Sequence, residues 1–300
     1  MFGDGRDWHG RSLTRAFKRR GITPLLAPLN LCGFSTETAT GIAIPGLGDQ
    51  LPEGAFVRFV PGGTFEEVTL YLGVLHALRE LGVTVWNDAR SIERCVDKST
   101  TTFFLQRASL PTPRTFAKVN RAEAEAVTAA LLAEGRKVVQ KPLFGAQGKG
   151  LRLISSLADL SSPEEVNGVY YLQEFISPAQ EHHQDWRIFV CRGRVVASMI
   201  RHGSSWITNI KQGARAKVAI ASQELADLAV RAAGCVGADY AGVDVIQSRD
   251  GRFYVLEVNS MPAWNGLQGV SRVRISDDLV DAFLDAALPR ERPLEGQEGA

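Results

Sequence analysis

The segment that most constrains this chain is Asp239–Pro262, where two apolar runs flank the dipeptide Asp250-Gly251. Asp-Gly between β-branched and aromatic residues is a strong signal for a two-residue turn, so the segment predicts a β-hairpin. Pairing around that turn sets Asp244 directly opposite Glu257, and Asn259 then shares a face with Glu257 because strand side chains alternate. The apolar neighbours predict a largely buried hairpin: Val243, Val245, Ile246, Val255, Leu256 and Val258.

Two carboxylates that face each other in a buried sheet repel, and one of them would ordinarily take up a proton. One remedy is an arginine or lysine from elsewhere that pairs with each acid, which is the common arrangement for an isolated Asp or Glu in a strand. The other is a hard cation, since carboxylate and amide oxygens suit Mg²⁺. The additional amide leads us to favour a magnesium site formed by Asp244, Glu257 and Asn259, with Mn²⁺ as the alternative ion.

The bulk properties of the chain limit its partners. Its net charge is +1, from 34 basic and 33 acidic residues, which gives no field for capturing nucleic acid or an anionic membrane. The four cysteines are scattered without a C-x-x-C pair, which argues against structural zinc or a disulfide framework. The first residues are polar and glycine-rich, and no run is long enough to span a bilayer. We therefore expect a cytoplasmic protein that binds neither nucleic acid nor membrane.

The predicted elements divide the chain, whose 300 residues exceed the usual size of a single core. Up to residue 95, predicted strands alternate with helices, which indicates an α/β lobe. The strands are expected at 22–27, 55–60 and 83–86, and the helices at 11–20 and 64–81. Thr64 and Glu67 form a capping box at the start of the second helix.

Beyond residue 95, several antiparallel strands and separate helices indicate α+β lobes. Strands are expected at 137–141, 151–154, 169–175, 185–190 and 195–200, and helices at 98–109, 121–134 and 223–236. The polar tail from Pro289 is predicted to be disordered. The predicted fold class is thus mixed α/β and α+β.

A second group of functional candidates lies in VVQKPLFGAQGKG, residues 138–150. A strand ends in Lys141, and a loop containing Gly145, Gly148 and Gly150 turns back. Glycines let backbone N–H groups approach anionic oxygens, and a lysine supplies a charge for phosphate. A purely structural turn explains these residues equally well. The loop is neither a Walker loop nor a Rossmann fingerprint, because the lysine lacks a following Ser or Thr and a strand follows the glycines.

Two further segments place polar groups at strand ends. In YLQEFI, residues 171–176, Glu174 next to an apolar wall suits a ribose, although an edge strand with one exposed acid is the better account of this segment alone. In residues 185–203, Arg201 comes near the end of the second strand of a predicted hairpin, and arginine suits phosphate. His182 and His183 would point to opposite faces of a strand, so we expect a solvated loop pair and no metal site.

Taken in order, these motifs resemble the ATP-grasp carboxylate–amine ligases, and most closely the RimK-like α-L-glutamate ligases. The resemblance covers roughly residues 60–270, from VDKSTT at Lys98 through KPLFGAQGKG, QEFI, DWR and TNI to GVD…LEVNSMP. It implies an ATP-grasp fold with an N-terminal α/β pre-ATP-grasp domain. The implied domains are 1–95 (pre-ATP-grasp), 96–176 (small lobe with the glycine-rich loop), 177–288 (large lobe with the magnesium hairpin) and 289–300 (disordered tail).

The resemblance also implies roles for individual residues. Those that match nucleotide contacts are Lys98, Lys141, Gly148, Glu174, Phe175, Asp185, Ile207, Thr208 and Asn209. Those that match the magnesium ligands are Asp244, Glu257 and Asn259. Two arginines, Arg201 and Arg187, would stabilise a developing oxyanion.

The implied reaction uses ATP and Mg²⁺. An acceptor carboxylate attacks the γ-phosphate to give an acyl phosphate, and an amine, expected to be that of L-glutamate, displaces phosphate to form an amide. The glycine loop would act as a lid that excludes water. The stretches PGGTFEE and ALRELGVTVWNDARSIERCVDK resemble members that glutamylate a pterin one-carbon cofactor.

The expected acceptor is therefore a small-molecule carboxylate of the tetrahydromethanopterin or methylofuran type. Two alternatives stay open: a protein C-terminus or amino-group carrier protein as acceptor, and, from another class, a small-molecule kinase that stops at phosphoryl transfer. A homo-oligomer is also left open.

Overall fold

The computed structural model describes residues 1–145, 147–178 and 183–288. The predicted tail at 289–300 and His182 lie outside the described residues. The described residues form two compact units, one of residues 1–86 with the described residues from Ser276 onward, and one of Asn87–Ile275. None of the helices in the described ranges is both long and apolar enough to cross a bilayer.

Helices and strands are distributed along the whole described chain. In chain order, the α-helices are α1 (Trp8–Lys18), α2 (Phe65–Glu80), α3 (Ala89–Val96), α4 (Lys98–Arg107), α5 (Arg121–Ala133), α6 (Gln223–Val236), α7 (Asn265–Val270) and α8 (Ile275–Ala287). The strands are β1 (Gly33–Phe34), β2 (Ile42–Ala43), β3 (Gly54–Phe56), β4 (Thr84–Trp86), β5 (Thr115–Lys118), β6 (Val138–Lys141), β7 (Arg152–Ile154), β8 (Tyr170–Glu174), β9 (Gln184–Cys191), β10 (Arg194–His202), β11 (Arg215–Val218), β12 (Tyr240–Gln247) and β13 (Phe253–Asn259).

The first unit has the predicted mixture of helices and strands. Strands β3 and β4 pair in parallel, and β1 pairs with β2 antiparallel. Its core includes Phe17, Phe56 and Phe283, whose rings meet edge to face at centroid distances of 5.4–6.4 Å. The strand expected at 22–27 is wrong, because this segment has no ladder partner and contains Pro24, which has no N–H to donate to a ladder.

Helix α2 begins where the capping box predicts. The Thr64 hydroxyl accepts from the Glu67 N–H at 3.3 Å, and the Thr64 N–H donates to Glu67 Oε2 at 2.8 Å. The helix ends before Gly82, whose φ of +84° is the left-handed conformation that favours glycine. The local signals at both ends of this helix are thus confirmed.

The second unit contains two antiparallel sheets, each covered by a helix. The smaller sheet has the order β5-β8-β6-β7, and the larger has the order β11-β10-β9-β12-β13. Helix α5 packs on the smaller sheet through a cluster of Ala124, Leu131, Val138, Ile154, Tyr170 and Leu172. Helix α6 packs on one face of the larger sheet through a cluster that includes Leu225, Ala229, Ile188, Val243 and Val255. Because alternate side chains point to opposite faces, the other face of the larger sheet presents the charged residues of the site.

Candidate active site

A cleft in the second unit is lined by residues from both sheets and from the loops between their strands. The smaller sheet contributes Lys141 and Glu174, and the larger contributes Asp185, Arg201, Asp244 and Glu257. Every residue predicted for the site lines this cleft except Arg187 and Asn259. The structure therefore brings together segments separated by more than a hundred residues of chain.

The β12–β13 hairpin has the predicted register at its functional residues, since Asp244 lies opposite Glu257. The route to that register differs from the prediction. The turn encloses three residues, Arg249–Gly251, because the Ser248 N–H donates to the Arg252 carbonyl at 2.9 Å. The pairing then shifts by one residue between Asp244 and Val245, which is a β-bulge in β13. The extra residue of the bulge compensates for the extra residue of the turn. The expected two-residue turn is therefore wrong, but the prediction that Asp244 and Glu257 face each other is correct.

The bulge also changes which side chains face the cleft. Leu256 and Glu257 are neighbours in β13, yet both line the cleft together with Ile246. Neighbouring residues of a regular strand would point to opposite faces. Leu256 is therefore a lining residue that strand alternation could not predict.

Asp244 is paired with arginine, as in the alternative that we disfavoured. Its two oxygens accept from Nε and Nη2 of Arg187, the latter at 2.9 Å, and Arg201 Nη2 lies 3.1 Å from Oδ2. Burial alone would raise the pKa of Asp244, but the two guanidinium groups lower it below its ordinary value. The two guanidinium groups therefore favour the ionised form of Asp244 without a metal ion.

Arg201 is shared between two buried acids. It donates from Nε to Asp185 Oδ1 at 2.8 Å and from Nη2 to Oδ2 of the same carboxylate. The side chains of Arg201 and Asp185 are only 4% and 5% exposed. Burial raises the pKa of Asp185, and the nearby charge of Asp244 adds to that rise. Within the described residues Arg201 Nη1 makes no hydrogen bond, so it is the one guanidinium nitrogen left for a ligand.

Glu257 differs from its partner across the hairpin. It is half-buried, and among the residues that the structure describes its carboxylate makes no hydrogen bond or ion pair. The Glu257 carboxylate nevertheless acts on Lys98 and Lys141, because it opposes the lowering of their pKa values by burial. Glu257 is therefore an open carboxylate beside two ammonium groups.

The two lysines reach the cleft from different elements. Lys141, at the end of β6, donates to Gln173 Oε1 at 2.6 Å, and burial lowers its pKa to about 8. Lys98 begins α4 and donates to the carbonyls of Leu143 and Gly145 at 3.2 and 3.0 Å. Burial also lowers the pKa of Lys98. Two half-buried ammonium groups with lowered pKa values form a site that gains from an added anion.

The glycine loop packs against the segment after β10. Gly148 has φ +72°, and a Cβ on it would lie 2.5 Å from Asn209 Oδ1 and 3.0 Å from Ile207 Cγ2. Gln212 Nε2 donates to the Gln147 carbonyl at 3.4 Å. Ala146 lies outside the described residues. Only glycine fits at position 148 without displacing this contact.

Two aromatic rings line the cleft together with apolar side chains. Phe175 and Trp206 meet edge to face at 6.1 Å, and Ile176 and Leu151 are also lining residues. Glu174 is held by Arg136 at 3.2 Å. Sequence reasoning missed Trp206, although an aromatic residue directly before the Ile207–Asn209 segment was the signal that could have indicated it.

The donor set fits Mg²⁺ in the form that this ion usually takes in proteins, with one or two carboxylates and the remaining positions supplied by phosphates and water. Glu257 is open, and Asp244 accepts two N–H groups from Arg187 beside the ion pair with Arg201, so its carboxylate retains an open lone-pair position. Asn259 does not line the cleft, but its Nδ2 donates to the Gly242 carbonyl at 3.4 Å, which leaves its oxygen free to act as a ligand. In the described ranges, no three His, Cys, Asp or Glu side chains are grouped closely enough to hold a metal by themselves.

Known proteins similar to this chain include ATP-grasp ligases. A model of the RimK-like ATP-grasp domain matches residues 95–283. Tetrahydromethanopterin:alpha-L-glutamate ligase from Methanococcus maripaludis is 36% identical over 213 residues, which cover 68% of this chain and 70% of that protein. Alpha-aminoadipate–LysW ligase LysX from Saccharolobus solfataricus is 29% identical, over 68% of this chain and 75% of that protein.

A solved structure shows the same fold. The ATP-grasp ligase PsnB, complexed with a phosphomimetic variant of its minimal precursor, Mg and ADP, superposes with a TM-score of 0.74 at 24% identity, over 95% of this chain and 97% of that one. The fold is that of an ATP-grasp ligase, a class of enzyme that uses ATP and Mg²⁺. Within that class, the chain belongs to the RimK-like ATP-grasp family.

Proposed function

We propose that this protein adds L-glutamate to a carboxylate of a one-carbon cofactor of the tetrahydromethanopterin or methylofuran type, through an acyl phosphate formed from ATP. The observation that carries the ligase chemistry is the position of Glu257, an open carboxylate in the same cleft as Lys98 and Lys141. The choice of acceptor is supported by relatives named tetrahydromethanopterin:alpha-L-glutamate ligase at 28–37% identity.

The cleft offers a place for each part of the nucleotide. Lys98 and Lys141 would hold the phosphates, under the backbone of the glycine loop around Gly148. Phe175 and Trp206 would supply the apolar wall for the adenine. The remaining proposed nucleotide contacts are Glu174, Asp185, Ile207, Thr208 and Asn209, all of which line the same cleft.

Glu257, Asn259 and the open position of Asp244 would hold Mg²⁺, with Mn²⁺ as a substitute. The ion, when bound, offsets the charge of the β- and γ-phosphate oxygens during transfer. In the reaction the acceptor carboxylate oxygen attacks the γ-phosphorus and ADP leaves. The glutamate amine then attacks the carbonyl carbon, and inorganic phosphate leaves with the carboxylate oxygen.

The two arginines receive different roles. Arg201 lines the cleft and has Nη1 available to donate to the oxyanion that develops on the carbonyl. Arg187 does not line the cleft, so we propose that it acts by holding Asp244 in place through its two parallel hydrogen bonds. No nucleophilic side chain is required.

The test is ADP release by the purified protein with ATP, Mg²⁺, L-glutamate and tetrahydromethanopterin, with the product mass measured in parallel. Release that requires both substrates and yields a product heavier by one glutamyl group is the expected result. Absence of ADP release with pterin and furan acceptors, under conditions in which the protein binds ATP, would overturn the proposal. Omission of glutamate distinguishes a kinase, which would leave a stable phosphorylated acceptor.

A second acceptor class, a protein, is favoured by one observation, the similarity to LysX, whose name gives LysW as one of the two partners that it joins. Intact-mass analysis of the proteins of a deletion strain, before and after adding back the gene, decides between the classes. A protein that gains glutamyl mass would favour a protein acceptor, and an unchanged protein profile with a changed cofactor mass would favour the small molecule.

A further inference from the structure

Asn87 is buried at the open end of the β12–β13 hairpin, and all of its side-chain hydrogen-bonding positions are used. It is 0% exposed. Its Oδ1 accepts from the N–H groups of Asp239 and Tyr240 at 2.6 and 3.2 Å, and its Nδ2 donates to the carbonyls of Tyr240 and Ser260 at 2.8 and 2.5 Å. Two N–H groups on one side and two carbonyls on the other admit only one orientation of the amide.

The amide of Asn87 lies where the two strands separate. The ladder between β12 and β13 ends at Gly242 and Asn259. Beyond that pair, the carbonyls of Tyr240 and Ser260 both point to Asn87 Nδ2, so a side chain bridges the strands in place of a backbone bond. Ser260 directly follows Asn259, whose own amide donates to the Gly242 carbonyl.

The residues that follow Asn87 connect the hairpin to the cleft. Asp88 caps α3 by accepting from the Ser91 N–H at 2.8 Å, and Ser91 Oγ donates to the Gly237 carbonyl at 2.6 Å at the end of α6. Helix α3 leads through Asp97 to Lys98, which lines the cleft. Asn87 therefore lies just before helix α3, and the end of α3 leads to Lys98, which we propose binds phosphate.

We infer that Asn87 is a positioning residue for the metal ligands of β13: it holds the end of that strand at the spacing that lets Glu257 and Asn259 share one cation. The inference rests on the proposed magnesium site and goes beyond it, because Asn87 does not contact the cleft. Partners that orient metal ligands typically change metal affinity 10–100-fold when they are removed.

Asn87→Asp tests this with little change in shape. The new carboxylate keeps an oxygen for the N–H groups of Asp239 and Tyr240, but its other oxygen faces the two carbonyls that the amide used to bind. The matched control is Ser91→Ala. This substitution removes the hydrogen bond from Ser91 in helix α3 to the Gly237 carbonyl and leaves the contacts of β13 unchanged.

The measurement is binding of Mn²⁺ to the protein–ADP complex, followed by the electron paramagnetic resonance of the free ion, alongside ADP binding without metal. We expect Asn87→Asp to weaken Mn²⁺ binding about tenfold and to leave metal-free ADP binding within about twofold of wild type. Ser91→Ala should lower the unfolding temperature and leave both affinities unchanged.

If Asn87→Asp folds poorly, a second variant is assessed by the gain in its unfolding temperature when Mn²⁺ is added. Asn87→Ser keeps one donor, and we expect it to give a smaller gain in unfolding temperature than wild type when Mn²⁺ is added to its ADP complex. Equal Mn²⁺ responses in wild type and both Asn87 variants would overturn the inference, as would a wild-type protein that binds ADP but no Mn²⁺. None of these results depends on an acceptor, so a failure of glutamate transfer with Mn²⁺ binding as expected would refute only the proposed function.

Discussion

Asp244 and Glu257 lie opposite each other across one hairpin, yet only Asp244 is paired with arginine within the described residues. The repulsion between the two facing acids is therefore relieved at only one of them. Asp244 belongs to a buried ionic network, whereas Glu257 is open and lines the same cleft as Lys98 and Lys141. That asymmetry separates the residue that organises the site from the residue that is free to bind a ligand.

Glu257→Gln should remove activity without harming the fold. The carboxylate has no hydrogen bond to lose within the described residues, so we expect an unfolding temperature within a few degrees of wild type. ADP release should fall about 100-fold or more, because a neutral amide is a poorer ligand for Mg²⁺. A steady-state ADP assay and a thermal melt check both outcomes, and retention of most of the activity would contradict the role of Glu257.

Arg187→Met should instead destabilise the second unit. The Arg187 and Asp244 side chains are 11% and 6% exposed, and removing one partner of a buried pair costs about 3–5 kcal/mol when the other charge is left unpaired. Because Arg201 still lies 3.1 Å from Asp244, we expect a loss at the lower end of that range. The measurement is the free energy of unfolding from urea titration. The control is Arg252→Met, since Arg252 pairs with Asp250 at the exposed turn and should contribute no measurable stability. Equal effects of the two substitutions would show that the Arg187–Asp244 pair does not stabilise the fold as a buried ionic network should.

Gly148→Ala should weaken ATP binding while leaving the fold intact. The added Cβ would lie 2.5 Å from Asn209 Oδ1, so either the glycine loop or the Asn209 side chain must shift and their contact changes. We expect the KM for ATP to rise about tenfold. Gly168→Ala is the control, because its φ of +75° imposes similar backbone strain with no atom within 4 Å of the new Cβ. An unchanged KM for ATP in Gly148→Ala would mean that the loop contact does not matter for nucleotide binding.

Nucleotide affinity should depend on the protonation of Lys141. Burial lowers the pKa of its ammonium from 10.5 to about 8 in the folded protein. Between these values the unfolded chain holds a proton that the ligand-free folded chain has lost, so the free energy of unfolding gains a contribution that rises with pH across this window. Bound phosphate favours the charged form, so ADP binding should take up a proton near pH 8 and weaken above it.

Calorimetry of ADP binding in buffers of different ionisation enthalpy measures that proton uptake. Lys141→Arg should reduce the proton uptake to what Lys98 contributes, because arginine stays charged throughout this range. An ADP affinity that stays constant from neutral pH to well above the pKa of Lys141 would contradict the assignment of Lys141 to the phosphates.

Much of the fold could be predicted where local signals decide the structure. Helix α6 has the predicted bounds, 223–236, and α2 begins at its capping box. The irregular segment 22–27 was mistaken for a strand because apolar residues alone do not ensure a ladder partner. Helix α7 and strand β11 carry no clear period, and their formation depends on packing that the sequence does not display.

The site shows the same division. Most of the site residues predicted from the ordered motifs line the cleft, but Trp206 and Leu256 were not predicted, and neither was the pairing among the charged residues. The Arg187–Asp244 and Arg201–Asp185 bonds depend on the register of three strands, which no single motif specifies. The predicted two-residue turn is wrong, although the predicted pairing of Asp244 with Glu257 is correct. The β-bulge that compensates for the three-residue turn has no sequence signal of its own.

The most direct measurement of the central claim follows the oxygen atoms of the acceptor. The acceptor carboxylate is labelled with oxygen-18 and incubated with the wild-type protein, ATP, Mg²⁺ and L-glutamate. An acyl phosphate route predicts ADP and amide in equal amounts, with label transferred from the carboxylate to inorganic phosphate. Amide formation with unlabelled phosphate, or with AMP in place of ADP, would contradict the account.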